Sequence, residues 1–76
     1  MAYSPIFTNN ALKKMAGLGL SEGAALSVYK NGVKEGSSYG GWNSISKFSG
    51  YEIGVYYNQG SDGVWRIISV WKRNRR

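Results

Sequence analysis

The chain lacks both cysteine and histidine among its 76 residues. Without thiols there is no disulfide bond and no thiolate zinc site, and without imidazole the commonest metal ligand and proton carrier is missing. The acids are scattered, which argues against a tight cage for a divalent cation; they are Glu22, Glu35, Glu52 and Asp62. We therefore expect no metal and no cofactor.

Long hydrophobic runs are also missing. No apolar stretch approaches the roughly 20 residues that span a bilayer, and the first residues do not form a signal-peptide pattern. These absences predict a cytoplasmic protein without a membrane partner, either stand-alone or a module cut from something longer. A length of 76 residues predicts one domain covering residues 1–76, which buries roughly 60% of its unfolded surface.

Positive charge is what the sequence has in excess. Ten lysines and arginines face four acids, for a formal net charge of +6. Half of the basic residues cluster near the C-terminus; they are Arg66, Lys72, Arg73, Arg75 and Arg76. Clustered cations favour nucleic acid or another acidic partner, whereas simple solubility is the alternative.

The first half of the chain predicts two short helices. Thr8 is suited to cap a helix that runs through Gly17, and Ser21 is suited to cap a second that stops at Asn31–Gly32. Neither helix is long enough to be stable alone, so both must pack on another element.

The second half predicts a sheet. Short turns separate three segments rich in aromatic and β-branched residues, which favours an antiparallel meander; they are Trp42–Phe48, Tyr51–Asn58 and Val64–Lys72. Residues 36–41 form a turn-rich connector, and Tyr3–Phe7, which contains Pro5, is at most an edge strand. The expected fold is α+β, with two N-terminal helices packed on a three- to four-stranded antiparallel sheet.

Alternation along the strands predicts which residues face the helices. In the middle strand these are Tyr51, Ile53, Val55 and Tyr57. In the last strand the compact set Val64, Ile68 and Val70 is assigned to the core. The open face would then carry Glu52, Tyr56, Trp65, Ser69, Trp71 and Arg73.

Three segments together resemble a known family; they are Phe7–Ser21, Val28–Gly32 and Arg66–Trp71. They are similar to small toxin-like proteins related to BrnT and to RelE-type ribonucleases. The resemblance implies a RelE/barnase-like architecture, endoribonuclease activity and a small acidic antitoxin or immunity protein as partner. The chain departs from this family at Asn10, where a histidine is usual, and at Leu18, where an arginine is usual.

Cleavage of RNA without a metal requires a base for the 2′-hydroxyl, a cation for the phosphate and an acid for the leaving oxygen. The candidate catalytic residues are Lys14, Glu52, Arg66, Ser69 and Arg73. The candidate RNA-binding residues are Lys13, Tyr56, Trp71, Lys72, Arg75 and Arg76. Each also has a structural interpretation, as an ion-pair partner, a strand residue, a core aromatic or a solvated cation.

Two functions from different classes follow. The first is a small basic RNA-targeting toxin, a metal-independent endoribonuclease that uses 2′-hydroxyl attack on phosphate. The second is a non-catalytic nucleic-acid-binding or protein-interaction module that has lost ribonuclease activity. Asn10 and Leu18 favour the second, because the departure at Asn10 removes the imidazole on which proton transfer usually depends.

Overall fold

A computed structural model of the protein describes residues 5–38 and 40–74. Within these residues the chain is α+β, with two helices packed on one sheet, as expected. None of the helices in this part of the chain is long and apolar enough to cross a membrane. In chain order the elements are β1 (Ile6–Phe7), α1 (Asn9–Leu18), α2 (Glu22–Asn31), β2 (Val33–Gly36), β3 (Trp42–Phe48), β4 (Tyr51–Gln59) and β5 (Trp65–Asn74).

The sheet has five strands in the order β1-β5-β4-β3-β2 and is mixed rather than antiparallel. The expectation of three or four antiparallel strands is therefore corrected. The short β1 lies parallel to β5, with Phe7 opposite Ile67. A parallel pair needs a long connection, and here both helices and three strands lie between its members. Tyr3 and Ser4 of the predicted edge strand lie outside the described residues.

The fifth strand, β2, lies between the predicted end of the second helix and the predicted connector, in a stretch for which the sequence pattern predicted no element, and it shares only Gly36 with that connector. It pairs antiparallel with β3, from Val33 opposite Ile45 to Gly36 opposite Trp42, and all four of its residues are exposed. Only Val33 among these four residues is β-branched, so their composition gives little indication of a strand. The strand forms because Gly40 and Gly41 adopt positive φ angles of 86° and 74°, which turn the chain back into β3.

Both predicted helix caps are present. The side chain of Thr8 accepts a hydrogen bond from the N–H of Ala11, and that of Ser21 accepts one from the N–H of Ala24. Gly19 ends α1 in the left-handed conformation with φ of 69°, one residue later than the sequence pattern indicated.

One hydrophobic core lies between the helices and a single face of the sheet. The helices contribute small and flexible side chains, and the strands contribute larger ones. The buried set is Ala11, Met15, Ala25, Val28, Ile53, Val55, Tyr57, Ile67 and Val70. The predicted core side of β4 is confirmed, because Ile53, Val55 and Tyr57 belong to this set and Tyr51 packs against it.

A bulge in β5 makes the prediction of which side chains face the core wrong for the residues before the bulge. Tyr56 pairs with Ser69 but Tyr57 pairs with Ile67, which leaves Ile68 without an opposite residue on β4. The extra residue reverses the alternation on one side of it. Ile67 is therefore fully buried in place of Ile68, Trp65 packs on the core side, and Arg66 moves to the opposite face.

Candidate nucleic-acid interface

The sheet surface opposite the helices forms a continuous layer of side chains, called the open face below. Its members follow from the strand register, since side chains of paired residues project to the same side. On the three central strands they are Asn43, Ile45, Lys47, Glu52, Gly54, Tyr56, Asn58, Arg66, Ser69, Trp71 and Arg73. The predicted placement of Glu52, Tyr56, Ser69, Trp71 and Arg73 on this face is confirmed by the register.

Trp71 occupies the centre of the open face. Gly54 is its partner on β4, and a Cβ atom built on Gly54 would overlap the six-membered ring of the indole. The ring therefore covers the backbone of Gly54 in place of a side chain, and Trp71 is half-buried. An aromatic ring laid over a strand glycine is held in a fixed position on the sheet surface.

A charged row crosses the sheet beside Trp71. Lys47, Glu52 and Arg73 are consecutive cross-strand partners on β3, β4 and β5. Lys47 and Arg73 are exposed, whereas Glu52 is half-buried between them. With neighbouring strands about 4.8 Å apart, one carboxylate lies between two cations. The row retains a net positive charge.

The other end of the open face is more polar. Tyr56 is opposite Ser69, and its hydroxyl donates to the carbonyl oxygen of Gly40 at 2.7 Å. Arg66 forms a bidentate contact with Asp62, with Nη2–Oδ2 at 2.9 Å and Nη1–Oδ1 at 3.2 Å. The hydrogen bond from Arg66 lowers the pKa of Asp62 to about 2, with further help from the N–H of Val64.

Three lysines of the candidate set lie off the open face. Lys13 and Lys14 line a groove of about 380 Å³ between α1 and β5, together with Lys72 and Trp71, so Trp71 borders both this groove and the open face. The ammonium of Lys72 is 4.7 Å from the ring centroid of Tyr51, a cation–π contact on the helix side of the sheet. This groove follows the edge of β5 beyond the short β1 pairing.

The five candidate catalytic residues are not gathered in one place. Glu52 is opposite Arg73, but Ser69 and Arg66 lie at the Tyr56 end, and Lys14 belongs to the α1 groove. Glu52 and Tyr56 are four residues apart on one strand, roughly 13 Å, with Trp71 between them. Of the RNA-binding candidates, Tyr56 and Trp71 share the open face, and Arg75 and Arg76 lie outside the described residues. Lys13 and Lys72 lie in the α1 groove, which Trp71 also lines. The roles of all these residues stay predictions.

Asn10, the position at which the predicted family resemblance expects a histidine, makes a structural contact. Its side-chain amide donates to the carbonyl oxygen of Ile68 at 2.9 Å. The hydroxyl of Thr8 approaches the same oxygen and that of Ile67, at 3.2 and 3.0 Å. The bulge in β5 directs these carbonyls towards α1, so Asn10 and Thr8 tie the helix to the strand.

Sequence reasoning missed a concave site rich in aromatic side chains. A cleft of about 450 Å³ lies on the helix side of the sheet, lined by Tyr29, Lys30, Lys34, Trp42, Tyr57 and Trp65. Five separate elements contribute to it, so no local motif reveals it. The one available signal was Trp42, a large aromatic at the start of a strand and 46% exposed. Within residues 5–38 and 40–74 no three potential metal ligands of the His, Cys, Asp or Glu type come together.

In comparisons with known proteins, no family model, no curated protein and no solved structure matches this chain. Its function is therefore inferred from the geometry of its own residues.

Proposed function

We propose that the protein binds single-stranded RNA on the open face. The observation that carries this proposal is Trp71, which lies over Gly54 at the centre of a sheet surface that no helix covers in the described part of the chain. Exposed cations lie beside it at Lys47 and Arg73. An aromatic platform next to cations is the arrangement that single-strand binders use for bases and phosphates.

Each group has a separate task in this proposal. The indole of Trp71 stacks on a base, which contributes about 1–3 kcal/mol. Lys47 and Arg73 contact the phosphates that flank this base, and the guanidinium of Arg73 can do so through two parallel hydrogen bonds. Tyr56 offers a second ring further along β4, fixed by its hydrogen bond to Gly40.

The sheet surface suits a single strand better than a duplex. A single strand can splay its bases onto aromatic side chains, whereas the bases of an A-form helix are stacked inside it. We therefore expect an unstructured 12-nucleotide RNA to bind more tightly than the same sequence annealed to its complement.

Fluorescence anisotropy of a labelled 12-nucleotide RNA tests the proposal. Trp71→Ala should weaken binding by roughly 5- to 150-fold, which corresponds to the energy of one stacked base. Phe48→Ala is the matched control, because Phe48 is a 41% exposed aromatic on the helix side of β3. If both variants bind RNA as tightly as the unmodified protein, the open face is not the binding surface.

A second candidate is the metal-independent endoribonuclease that the family resemblance implies, with its RelE/barnase-like architecture. The observation in its favour is the direct opposition of Glu52 and Arg73. A carboxylate can accept the 2′-hydroxyl proton as the 2′-oxygen attacks phosphorus, while the neighbouring guanidinium stabilises the phosphorane charge. The bond from phosphorus to the 5′-oxygen then breaks, and the protonated carboxyl or solvent water supplies the proton for that oxygen. Under this candidate, Glu52→Gln should abolish cleavage and retain RNA binding. RNA that stays intact with the unmodified protein would leave binding as the function.

A small acidic partner protein belongs to the same candidate. Lys13, Lys14 and Lys72 line the groove beside β5, and charge complementarity favours an acidic segment there. Co-expression with such a partner should suppress RNA cleavage, and Lys13→Glu together with Lys14→Glu should restore it.

A further inference from the structure

The cleft on the helix side of the sheet has features of a ligand site that are independent of the open face. Its volume of about 450 Å³ falls in the range of small-molecule pockets, roughly 300–1,000 Å³. It lies where α2 ends and where β3 and β5 begin. We name it the aromatic cleft; its lining residues are Tyr29, Lys30, Lys34, Trp42, Tyr57 and Trp65.

One wall of the aromatic cleft is a chain of three rings. Tyr29 and Tyr57 meet edge to face, with centroids 4.7 Å apart and ring planes at 72°. Tyr57 and Trp65 meet in the same way at 5.7 Å and 62°. Tyr57 is 5% exposed, so packing in the core holds the middle ring in place. Because these rings are already ordered, less conformational entropy is lost when a ligand binds against them.

Trp42 contributes a fourth ring at the surface. It is opposite Tyr57 in the β3–β4 register and therefore lies on the same side of the sheet. Nearly half of its surface is exposed, and it is not part of the core. A half-exposed indole beside an ordered aromatic wall provides a surface on which a planar ring can stack.

Two lysines set the charge of the aromatic cleft. The ammonium of Lys34 donates to the carbonyl oxygens of Tyr29 and Lys30, at 2.9 and 3.4 Å. This contact fixes the ammonium at the C-terminal end of α2, and an ammonium has three donors, so one is left for a ligand. Lys30 lies in the last turn of α2, and among the described residues no acid lines the cleft. The local field therefore favours an anion.

The phenols add neutral hydrogen-bond donors. Burial raises the pKa of Tyr29 and of Tyr57, and their mutual proximity raises that of Tyr57 further. An ordinary tyrosine is already protonated at neutral pH, and the raised pKa keeps both hydroxyls in that form. Among the described residues, neither hydroxyl makes a hydrogen bond, so both can donate to a carbonyl or ring nitrogen.

We propose that the aromatic cleft binds a nucleotide, with the base stacked on Trp42 and the phosphate held by Lys30 and Lys34. A cationic ligand is disfavoured by the two ammonium groups, although aromatic rings alone would suit one. A simple inorganic anion would leave the four rings unused. The nucleotide is either free or one unit of an RNA chain, since both present the same base and phosphate.

Isothermal titration calorimetry of the full chain with AMP, GMP, CMP and UMP tests this assignment. At least one mononucleotide should bind, and both its nucleoside and inorganic phosphate should bind more weakly. Trp42→Ala should weaken mononucleotide binding about fivefold or more, and Trp42→Phe should restore most of it. Lys30→Ala should weaken binding of the nucleotide and leave that of the nucleoside unchanged. Phe48→Ala should bind like the unmodified protein.

Any of three results would overturn the assignment. The first is that no mononucleotide binds at millimolar concentration. The second is that Trp42→Ala and Lys30→Ala leave mononucleotide binding unchanged, and the third is that inorganic phosphate binds as tightly as the nucleotides. Circular dichroism of each variant excludes unfolding as the cause of a loss. A mononucleotide that displaces labelled RNA from the unmodified protein, but not from the Trp42→Ala variant, identifies an RNA unit as the natural occupant of the cleft. A mononucleotide that binds and displaces no RNA identifies a free nucleotide. Because RNA binding on the open face is tested through Trp71 and the cleft through Trp42, either proposal can fail alone.

Discussion

Trp71 and Gly54 are cross-strand partners in which the indole of one covers the backbone of the other. The pair fixes the central ring of the open face without burying it in the hydrophobic core. Any side chain at position 54 would compete with the ring for the same space. The ring's position, and with it the proposed stacking platform, therefore depends on the absence of one side chain.

Gly54→Ala should accordingly destabilise the protein and displace Trp71. Overpacking of this kind costs about 1–3 kcal/mol, which urea unfolding followed by circular dichroism will measure. The double variant Gly54→Ala/Trp71→Ala should recover part of the loss, because it removes the clash. Gly17→Ala is the control: a Cβ at position 17 meets nothing within 4 Å, and alanine favours the helix. Equal losses in both glycine variants would contradict the role of the ring.

The tie between α1 and the β5 bulge gives a second prediction. Thr8 caps α1 and also approaches the carbonyls of Ile67 and Ile68, whereas Ser21 caps α2 through a local contact with Ala24. Loss of a cap costs about 1 kcal/mol, so Ser21→Ala should fall near that value in chemical denaturation. Thr8→Ala should cost clearly more, and Thr8→Ser should retain most of the stability. If the two alanine variants lose the same amount, the contacts to β5 contribute nothing measurable.

Much of the fold follows from local sequence signals. Thr8 and Ser21 mark both helix starts, because a side-chain oxygen at that position satisfies an N–H that the helix leaves unpaired. The alternation of β4 identifies its core side, since successive residues of a strand face opposite ways. These features depend on residues close together in the chain, which is why they can be read without the structure.

The sequence-based predictions are wrong or incomplete where contacts between segments distant in the chain determine the structure. Nothing near Ile68 marks it as a bulge; the bulge is accommodated because Thr8 and Asn10, 60 and 58 residues away, bond its carbonyl oxygen. The extra residue places Trp65 and Ile67 on the core side and Arg66 on the open face, which is the reverse of the prediction. The aromatic cleft was missed for the same reason, because five elements meet to form it.

The pKa of Asp62 supports a prediction on pH. It is lowered to about 2 in the folded protein, first by the hydrogen bond from Arg66, against an ordinary value of 3.8. A depressed carboxyl pKa stabilises the fold above pH 3.8, and this contribution is lost as the pH falls through about 2. An NMR titration of the Asp62 carboxyl carbon should therefore give a midpoint near 2. Arg66→Gln should move it back towards the ordinary value, and an unchanged midpoint in that variant would exclude Arg66 as the cause.

The same ion pair leads to a prediction on RNA binding. Arg66 lies on the open face, but Asp62 neutralises much of its charge through a bidentate contact. Asp62→Asn should free the guanidinium to contact a phosphate. Each added phosphate contact on a single strand steepens the plot of log affinity against log salt by about 0.7. We expect tighter binding of the 12-nucleotide RNA at low salt, and a slope steeper by that amount.

The control for this prediction must remove one negative charge elsewhere. Glu22→Gln does so in the first turn of α2, on the helix layer and away from the open face. Glu22→Gln and Asp62→Asn each remove one negative charge. A general attraction between a more basic protein and RNA should therefore affect the two variants alike. A steeper slope for Asp62→Asn alone would show that Arg66 gains a phosphate contact. Equal changes in both variants would show that only net charge matters, because long-range attraction does not depend on which carboxylate is removed.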